Sequence, residues 1–80
     1  MLPSIHHPRY QALQGHLKEL RQGSGFTQVQ LAERLGIHQT YLSKIERGER
    51  YIDVLLYLDW CRACNTEPDV AVKTLVAAGA

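Results

Sequence analysis

The sequence predicts an all-α domain of five helices and no strands. Capping residues recur at intervals of about one helix length, and apolar residues recur between them at helical spacing. A third observation is the stretch TQVQLAERLGIHQTYLSKIERG at residues 27–48, which is typical of two short helices joined by a tight turn. Eighty residues are enough for one small core. We therefore expect a single domain over residues 1–80 with a central helix-turn-helix.

The first helix is predicted to run from about Pro8 to Gln22. Proline is favoured at a first helical position, and Gly23 is well suited to the position just past the end. One face of this helix carries apolar residues at helical spacing, which indicates that the face is buried. These residues are Leu13, Leu17 and Leu20.

The second and third helices form the predicted helix-turn-helix. The second begins at Thr27, whose hydroxyl can cap the backbone while Gln30 reaches back, as in a capping box. It ends at Gly36, because a positive φ angle has little cost only for glycine. The third covers about Gln39 to Arg47 and stops at Gly48. The residues expected to be buried in this unit are small or apolar, namely Leu31, Ala32, Leu35, Ile37, Leu42 and Ile45.

The last two helices are predicted from their start signals. Asp53 is a good N-cap for a fourth helix that runs to Cys64. Thr66 followed by Pro68 gives a similar signal for a last helix over about residues 67–78. The fourth helix should face the core through apolar residues at helical spacing, namely Val54, Leu55, Leu58 and Cys61, flanked by Tyr57 and Trp60. The last helix carries Val70, Val72, Leu75 and Val76.

The helix-turn-helix stretch resembles that of the Cro/C1-type repressors, also called the XRE family. The match comprises Thr27-Gln28, Leu31-Ala32, Leu35-Gly36 and residues 41–48, and a looser likeness extends from about Leu17 to Asn65. This resemblance implies a compact five-helix, lambda-repressor-like DNA-binding domain. It also implies that the third helix lies in the DNA major groove as the recognition helix.

Four polar residues of the recognition helix are the candidates for contacting bases. The Gln39 amide offers the donor and acceptor that complement adenine, Thr40 offers a hydroxyl and a methyl group, and Lys44 can donate to guanine. Ser43 is expected to share the exposed side of the helix with Lys44. In the family that the sequence resembles, these positions commonly contact bases. A merely solvated polar face would give the same sequence pattern.

Four further residues are candidates for contacting phosphates. Gln28 opens the second helix, where backbone N–H groups attract anions, and the resemblance implies that it fastens this helix to DNA. Arg47 and Arg50 follow the recognition helix, although ordinary surface charge would look the same. His38 stands where related sequences have a Ser or Thr cap. Either the helix starts at a different residue, or the imidazole reaches a phosphate, in which case binding would strengthen as histidine gains its proton.

Glu46 lies beside the predicted DNA-reading face, where an unpaired carboxylate would repel phosphate. The resemblance implies that it pairs with an arginine near the end of the first helix, and Arg21 has the matching position. A bidentate pair of these two side chains would join the first helix to the recognition helix. We therefore expect Arg21 and Glu46 to form a structural ion pair.

The formal net charge of +1 gives little indication of nucleic-acid binding. The distribution of charge along the chain is more informative. Residues 1–50 hold seven Lys/Arg and four Asp/Glu, whereas residues 51–80 hold two and four. A basic half that carries the motif, backed by an acidic half, would orient the domain on DNA. Chance asymmetry in a short chain is the alternative.

Composition and spacing argue against other classes of protein. No apolar run of about 20 residues is present, so a membrane span is not expected. The first ten residues lack the apolar segment of a signal peptide, which predicts a cytoplasmic protein. The resemblance implies a prokaryotic or phage-encoded protein that is associated with the nucleoid. No catalytic constellation is evident, and no cofactor is expected.

Cys61 and Cys64 form a C-x-x-C, but a second ligand pair for zinc is missing, so no metal site is expected. Cys64 is expected to be exposed.

These observations predict a DNA-binding transcriptional regulator, most simply a repressor that binds an inverted repeat as a homodimer. The last helix could close the core or present Val72, Leu75 and Val76 to a second copy, and Tyr51, Tyr57 and Trp60 are another possible contact. An antitoxin-like module that binds a partner protein is the alternative. A helical scaffold without DNA binding is a third hypothesis, which Gln28, Gln39 and Lys44 argue against.

Overall fold

The protein, described here from a computed structural model over residues 5–80, consists of five helices. They are α1 (Pro8–Gly23), α2 (Gln28–Leu35), α3 (Gln39–Glu46), α4 (Val54–Ala63) and α5 (Pro68–Ala77). No strand occurs in this part of the chain. The all-α prediction is therefore confirmed, and each predicted helix begins and ends within about two residues of its expected bounds.

The boundaries of α2 follow from local chemistry. The Thr27 hydroxyl accepts a hydrogen bond from the Gln30 backbone N–H at 3.1 Å, and Gln30 Oε1 accepts one from the Thr27 N–H at 2.9 Å. This is the predicted capping box. At the other end Gly36 adopts a φ angle of 68°, as the sequence predicts. These two features set the length of α2 and the direction in which the chain enters α3.

The predicted cap of α5 is wrong. The helix begins one residue later, with Glu67 in the capping position and no capping hydrogen bond from its side chain. The Thr66 hydroxyl instead donates to the Cys64 backbone carbonyl at 3.2 Å. Because that carbonyl lies at the end of α4, Thr66 helps to close the preceding helix rather than to open the next one.

The core is centred on Trp60, whose side chain is fully buried. Its indole N–H donates to the Leu17 backbone carbonyl at 3.1 Å and so joins α4 to α1. Around it lie the buried apolar side chains of all five helices, which include Leu17, Leu31, Leu42, Ile45 and Ala71. A buried indole ring needs a large space in the core and a hydrogen-bond acceptor for its N–H group, and the position of Trp60 provides the space and the acceptor.

The buried face of α4 differs from the prediction. Val54 and Leu55 are 72% and 73% exposed, whereas Tyr57, Trp60 and Cys61 are buried. The helix is apolar nearly all round, so its spacing alone does not distinguish one face from another. The three buried residues follow i, i+3, i+4 spacing toward the core, and this leaves the first turn of α4 projecting into solvent.

Behind the core, His16 of α1 and Tyr57 of α4 form a buried polar pair. His16 Nε2 and the Tyr57 hydroxyl share a hydrogen bond of 2.9 Å, and the two rings are stacked. Burial lowers the pKa of His16 below its ordinary value of 6.5, against a smaller opposing effect of the Glu19 charge. Folding therefore favours the neutral imidazole.

This pair predicts a pH dependence of stability. Because the folded-state pKa of His16 lies below the unfolded one, its contribution is present above the unfolded pKa and is lost as pH falls through the folded pKa. Urea unfolding should thus give a lower midpoint at about pH 5 than at about pH 7.5. His16→Gln keeps a group that can bond Tyr57 but does not titrate, and it should reduce this difference. If the urea midpoint changed equally with pH in both proteins, His16 would not be responsible for the pH dependence of stability.

Candidate nucleic-acid interface

The turn at Gly36 sets α3 across α2 with one face buried and the other open. Ala32 of α2 is buried where the helices meet, and the Ile37 N–H donates to its carbonyl at 3.1 Å. Leu42 and Ile45 anchor the inner face of α3 in the core. This packing leaves the N-terminal turn of α3 exposed, which is where a recognition helix contacts base edges.

Three of the four predicted base-contacting residues are accessible on this face. Gln39 and Thr40 are exposed at the first two positions of α3, and Lys44 is half-buried one turn later. Ser43 is different, because only 9% of it is exposed and its hydroxyl accepts a hydrogen bond from Arg47 Nη1 at 2.8 Å. The expectation that Ser43 shares the exposed side with Lys44 is therefore wrong. An i, i+4 bond to arginine holds the hydroxyl against the helix.

Gln39 is joined to α2 by a hydrogen bond between amides. Its Nε2 donates to Gln28 Oε1 at 2.9 Å, and Gln28 Nε2 in turn donates to Glu46 Oε1 at 3.1 Å. Gln28 thus lies between the first and last residues of α3. Such a bond restricts the Gln39 rotamers before any ligand binds, which lowers the entropy cost of a contact made by its free atoms.

Glu46 is also bound by Arg21 at the end of α1. Arg21 Nε donates to Glu46 Oε2 at 2.7 Å and Nη2 donates to Oε1 at 3.0 Å, so the pair is bidentate. A third N–H of the guanidinium donates to the Phe26 carbonyl at 2.9 Å. The Glu46 side chain is only 1% exposed and that of Arg21 is 12% exposed. The arrangement joins three segments and neutralises the carboxylate beside the open face of α3.

The four predicted phosphate-contacting residues lie at the start of α2, at the two ends of α3 and in the loop that follows it. Gln28 opens α2, and His38 occupies the cap position of α3 with no capping hydrogen bond from its imidazole. Because α3 begins at Gln39 as expected, the alternative of a shifted helix start is wrong. Arg47 is exposed and bonds Glu49, while the Arg50 guanidinium lies 5.9 Å from the centre of the Tyr41 ring. An exposed ion pair is weak, so Arg47 can exchange Glu49 for another anion.

Comparison with known proteins agrees with this geometry. The helix-turn-helix family profile HTH_3 matches residues 17–70. An XRE-family like protein from Pseudomonas syringae pv. tomato is 43% identical, with a TM-score of 0.82 over 95% of this chain and 93% of that one. The chain belongs to the XRE family of helix-turn-helix proteins.

Two further structures resemble the chain at lower identity. Both are of the clp gene regulator ClgR from Corynebacterium glutamicum, at 26% identity and TM-scores of 0.78 and 0.77. The first match covers 95% of this chain and 79% of that one, and the second covers the whole of both. No curated protein sequence matches the chain. Family membership supports a DNA-binding transcriptional regulator.

The C-x-x-C pair is part of the core of this XRE-family domain. Cys61 is fully buried and Cys64 is 4% exposed, so the prediction that Cys64 is exposed is wrong. Burial raises the pKa of both thiols, which keeps them protonated and poorly reactive. Among residues 5–80 no group of three His, Cys, Asp or Glu side chains is arranged to hold a metal ion. No helix in the same range is long and apolar enough to cross a membrane.

Sequence reasoning missed the double role of Gln28. It treated this residue only as a phosphate contact and Glu46 only as the partner of Arg21, whereas Gln28 bonds both ends of α3. The available signal was the spacing of Gln39 and Glu46, which are seven residues and two helical turns apart on one face. A side chain from the start of α2 can reach both only if α2 crosses α3, which the sequence does not specify.

Proposed function

We propose that this XRE-family protein is a sequence-specific repressor that binds an inverted-repeat operator as a homodimer, with α3 in the major groove. The observation that carries the proposal is the Gln39 amide, exposed at the first position of α3 and held in place by Gln28. A preordered amide at this point of a helix is suited to a bidentate contact with adenine. Repression requires only occupancy of a promoter, without a further contact to polymerase.

We assign base and phosphate contacts according to the polar atoms that each side chain has available. Gln39, Thr40 and Lys44 contact bases, since each offers polar atoms on the open face of α3. A base contact by Ser43 is not part of the proposal, because its hydroxyl holds Arg47. The phosphate contacts are assigned to the residues around this face, namely Gln28, His38, Arg47 and Arg50. The protein would act in the cytoplasm of a prokaryotic or phage-infected cell, on the nucleoid.

The dimer is supported by apolar side chains that α4 and α5 leave exposed. Val54 and Leu55 project from the first turn of α4, and Val72 and Val76 from α5. Val54 and Val72 line a groove of about 300 Å³ together with Leu13, Leu58 and Leu75. An apolar surface of this kind is typical of a contact with another protein. Of the alternative contact, Tyr57 and Trp60 are buried in the protein's own core, whereas Tyr51 is 48% exposed.

A dimer would also bury more DNA surface than one domain can bury alone. A single small module buries little DNA surface, and two recognition helices about 34 Å apart can enter successive turns of the major groove. The groove belongs to α1, α4 and α5 and includes no residue of α2 or α3. A second copy bound there would leave Gln39, Thr40 and Lys44 accessible to DNA.

The proposal is tested by selecting bound duplexes from a random pool and titrating the enriched site at two salt concentrations. We expect a two-fold-symmetric site bound at least ~10³-fold more tightly than random DNA. Gln39→Ala and Lys44→Ala should each lose discrimination at one position per half-site. Lys73→Ala removes an equal charge from the exposed face of α5 and should leave discrimination intact. Weak, purely salt-dependent binding with no enriched sequence would contradict the proposal.

The same exposed apolar surface supports a second candidate, an antitoxin-like module that binds a partner protein. In that case substitutions in α5 would abolish a complex that Gln39→Ala leaves intact. A toxin-like gene beside this one would favour it further. The DNA-binding homodimer remains the first proposal because an ordered, exposed amide at the start of α3 is suited to a contact with a base edge.

A further inference from the structure

We propose that Glu49 competes with DNA phosphate for Arg47, so that it weakens binding to every DNA sequence alike and lowers the salt dependence of that binding. This inference rests on the proposed function, because it states how the phosphate contact assigned to Arg47 is regulated. Glu49 lies in the loop after α3 and makes no DNA contact of its own. Its carboxylate occupies the cation that a phosphate would otherwise bind.

Two side chains hold the Arg47 guanidinium at the end of α3. Its Nη1 donates to the Ser43 hydroxyl at 2.8 Å, and its Nε donates to Glu49 Oε2 at 2.5 Å. Ser43 is buried, so the first of these bonds has little freedom to move. The Nη2 group takes part in no hydrogen bond within residues 5–80. The guanidinium is therefore oriented by serine and neutralised by glutamate, while its Nη2 N–H groups stay available to a second anion.

The loop after α3 holds Glu49 close to Arg47 before DNA binds. The Glu49 N–H donates to the Lys44 carbonyl at 2.8 Å, which ties the loop to the last turn of α3. Between Arg47 and Glu49, Gly48 adopts a φ angle of 77° and lies against the Gln14 side chain of α1. An ion pair whose two backbones are already fixed loses less entropy than an ordinary surface pair.

Binding of a phosphate exchanges one anion for another at Arg47. The two side chains are 55% and 52% exposed, so their ion pair is weak enough to open. Glu49 then lies beside a phosphate without a partner and takes up a cation from solution. A phosphate contact normally releases a counterion from DNA, which steepens the fall of log K with log salt by about 0.9. The cation that Glu49 takes up offsets this release, so Arg47 contributes little to the salt slope.

The experiment measures affinity for the enriched operator and for a random duplex at several salt concentrations. Glu49→Gln removes the charge but keeps an oxygen that can accept from Arg47, so the guanidinium stays oriented. It should raise affinity for both duplexes by the same factor, about two- to fivefold per domain at low salt. It should also steepen the salt slope by up to about one per domain. Arg47→Gln added to this variant should abolish both changes.

Asp59→Asn is the matched control, because Asp59 is also an exposed carboxylate paired with an arginine, Arg62 of α4. It removes the same charge and should leave affinity and salt slope near wild type. An equal rise in this control would overturn the inference, because net charge alone would explain it. A rise that survives Arg47→Gln would overturn it as well. Weaker binding by Glu49→Gln would show that Glu49 supports Arg47 instead of competing for it.

The random duplex separates this inference from the proposed function. A wild-type protein that enriches no site would overturn operator recognition, whereas the response of the random duplex to Glu49→Gln would still decide the role of Glu49. An enriched operator whose affinity and salt slope do not respond to Glu49→Gln would overturn the inference and leave operator binding standing.

Discussion

Glu46→Ala is expected to lower the free energy of unfolding by about 3–5 kcal/mol, the range for removal of one partner of a buried ion pair. The Arg21 guanidinium would lose both bonds to the carboxylate and keep only the one to the Phe26 carbonyl. A charge that is largely buried would then lack a counterion. For an 80-residue domain this loss is a large fraction of total stability. Urea unfolding followed by circular dichroism would measure it.

A double variant separates the cost of an unpaired charge from the net value of the pair. Arg21→Met combined with Glu46→Leu removes both charges and keeps apolar volume, so it should be substantially more stable than Glu46→Ala alone. The same comparison made at high salt should give similar values, because buried pairs are weakly screened. A loss below about 1 kcal/mol for Glu46→Ala would show that the pair behaves as an exposed one.

The helix boundaries were predictable because local chemistry determines them. The capping box of Thr27 and Gln30 and the left-handed turn at Gly36 depend on residues within four positions of one another. Asp53 likewise caps α4 by accepting from the Leu56 N–H at 2.9 Å. Signals of this kind are read directly from a sequence, and they predict the order and approximate length of all five helices.

The burial of particular side chains was less predictable because it depends on packing between helices. In α4 apolar residues occur on nearly every side, so Val54 and Leu55 resemble core residues as closely as Trp60 does. Which side faces inward depends on the neighbouring helices, because α4 packs mainly against α2 and α5. Its Trp60 indole also donates to the Leu17 carbonyl of α1.

The candidate site contains features that the sequence predicts and features that depend on packing between helices. Exposure of Gln39 and Thr40 was predictable from their position at the start of α3, where the helix projects from its turn. Burial of Ser43 was not predictable from its position, and neither was the hydrogen bond that its hydroxyl accepts from Arg47 one turn later. The bond from Gln28 to Glu46 requires the crossing of two helices, which single-residue preferences do not specify. The base contacts themselves stay predictions.

The second large effect is expected from charge placed on the apolar surface of α5. Val72→Asp combined with Val76→Asp should lower affinity for the full operator by roughly 10²–10⁴-fold, since the two half-sites would no longer be bound by one linked unit. Both side chains are largely exposed in the single chain, so the fold should tolerate the change. Titration of full and half operators, with sedimentation of the free protein, would measure the loss and the accompanying fall to monomer mass.

Val70→Asp is the matched control, because it makes the same substitution on α5 at a similarly exposed valine. Val70 lies two residues before Val72, which places it on a different side of the helix, and it does not line the apolar groove. It should leave both operator affinity and dimer mass near wild type. Half-site affinity should be equal in all three proteins, because α3 is unchanged. A double variant that stays dimeric and binds the full operator normally would show that a second copy contacts some other surface.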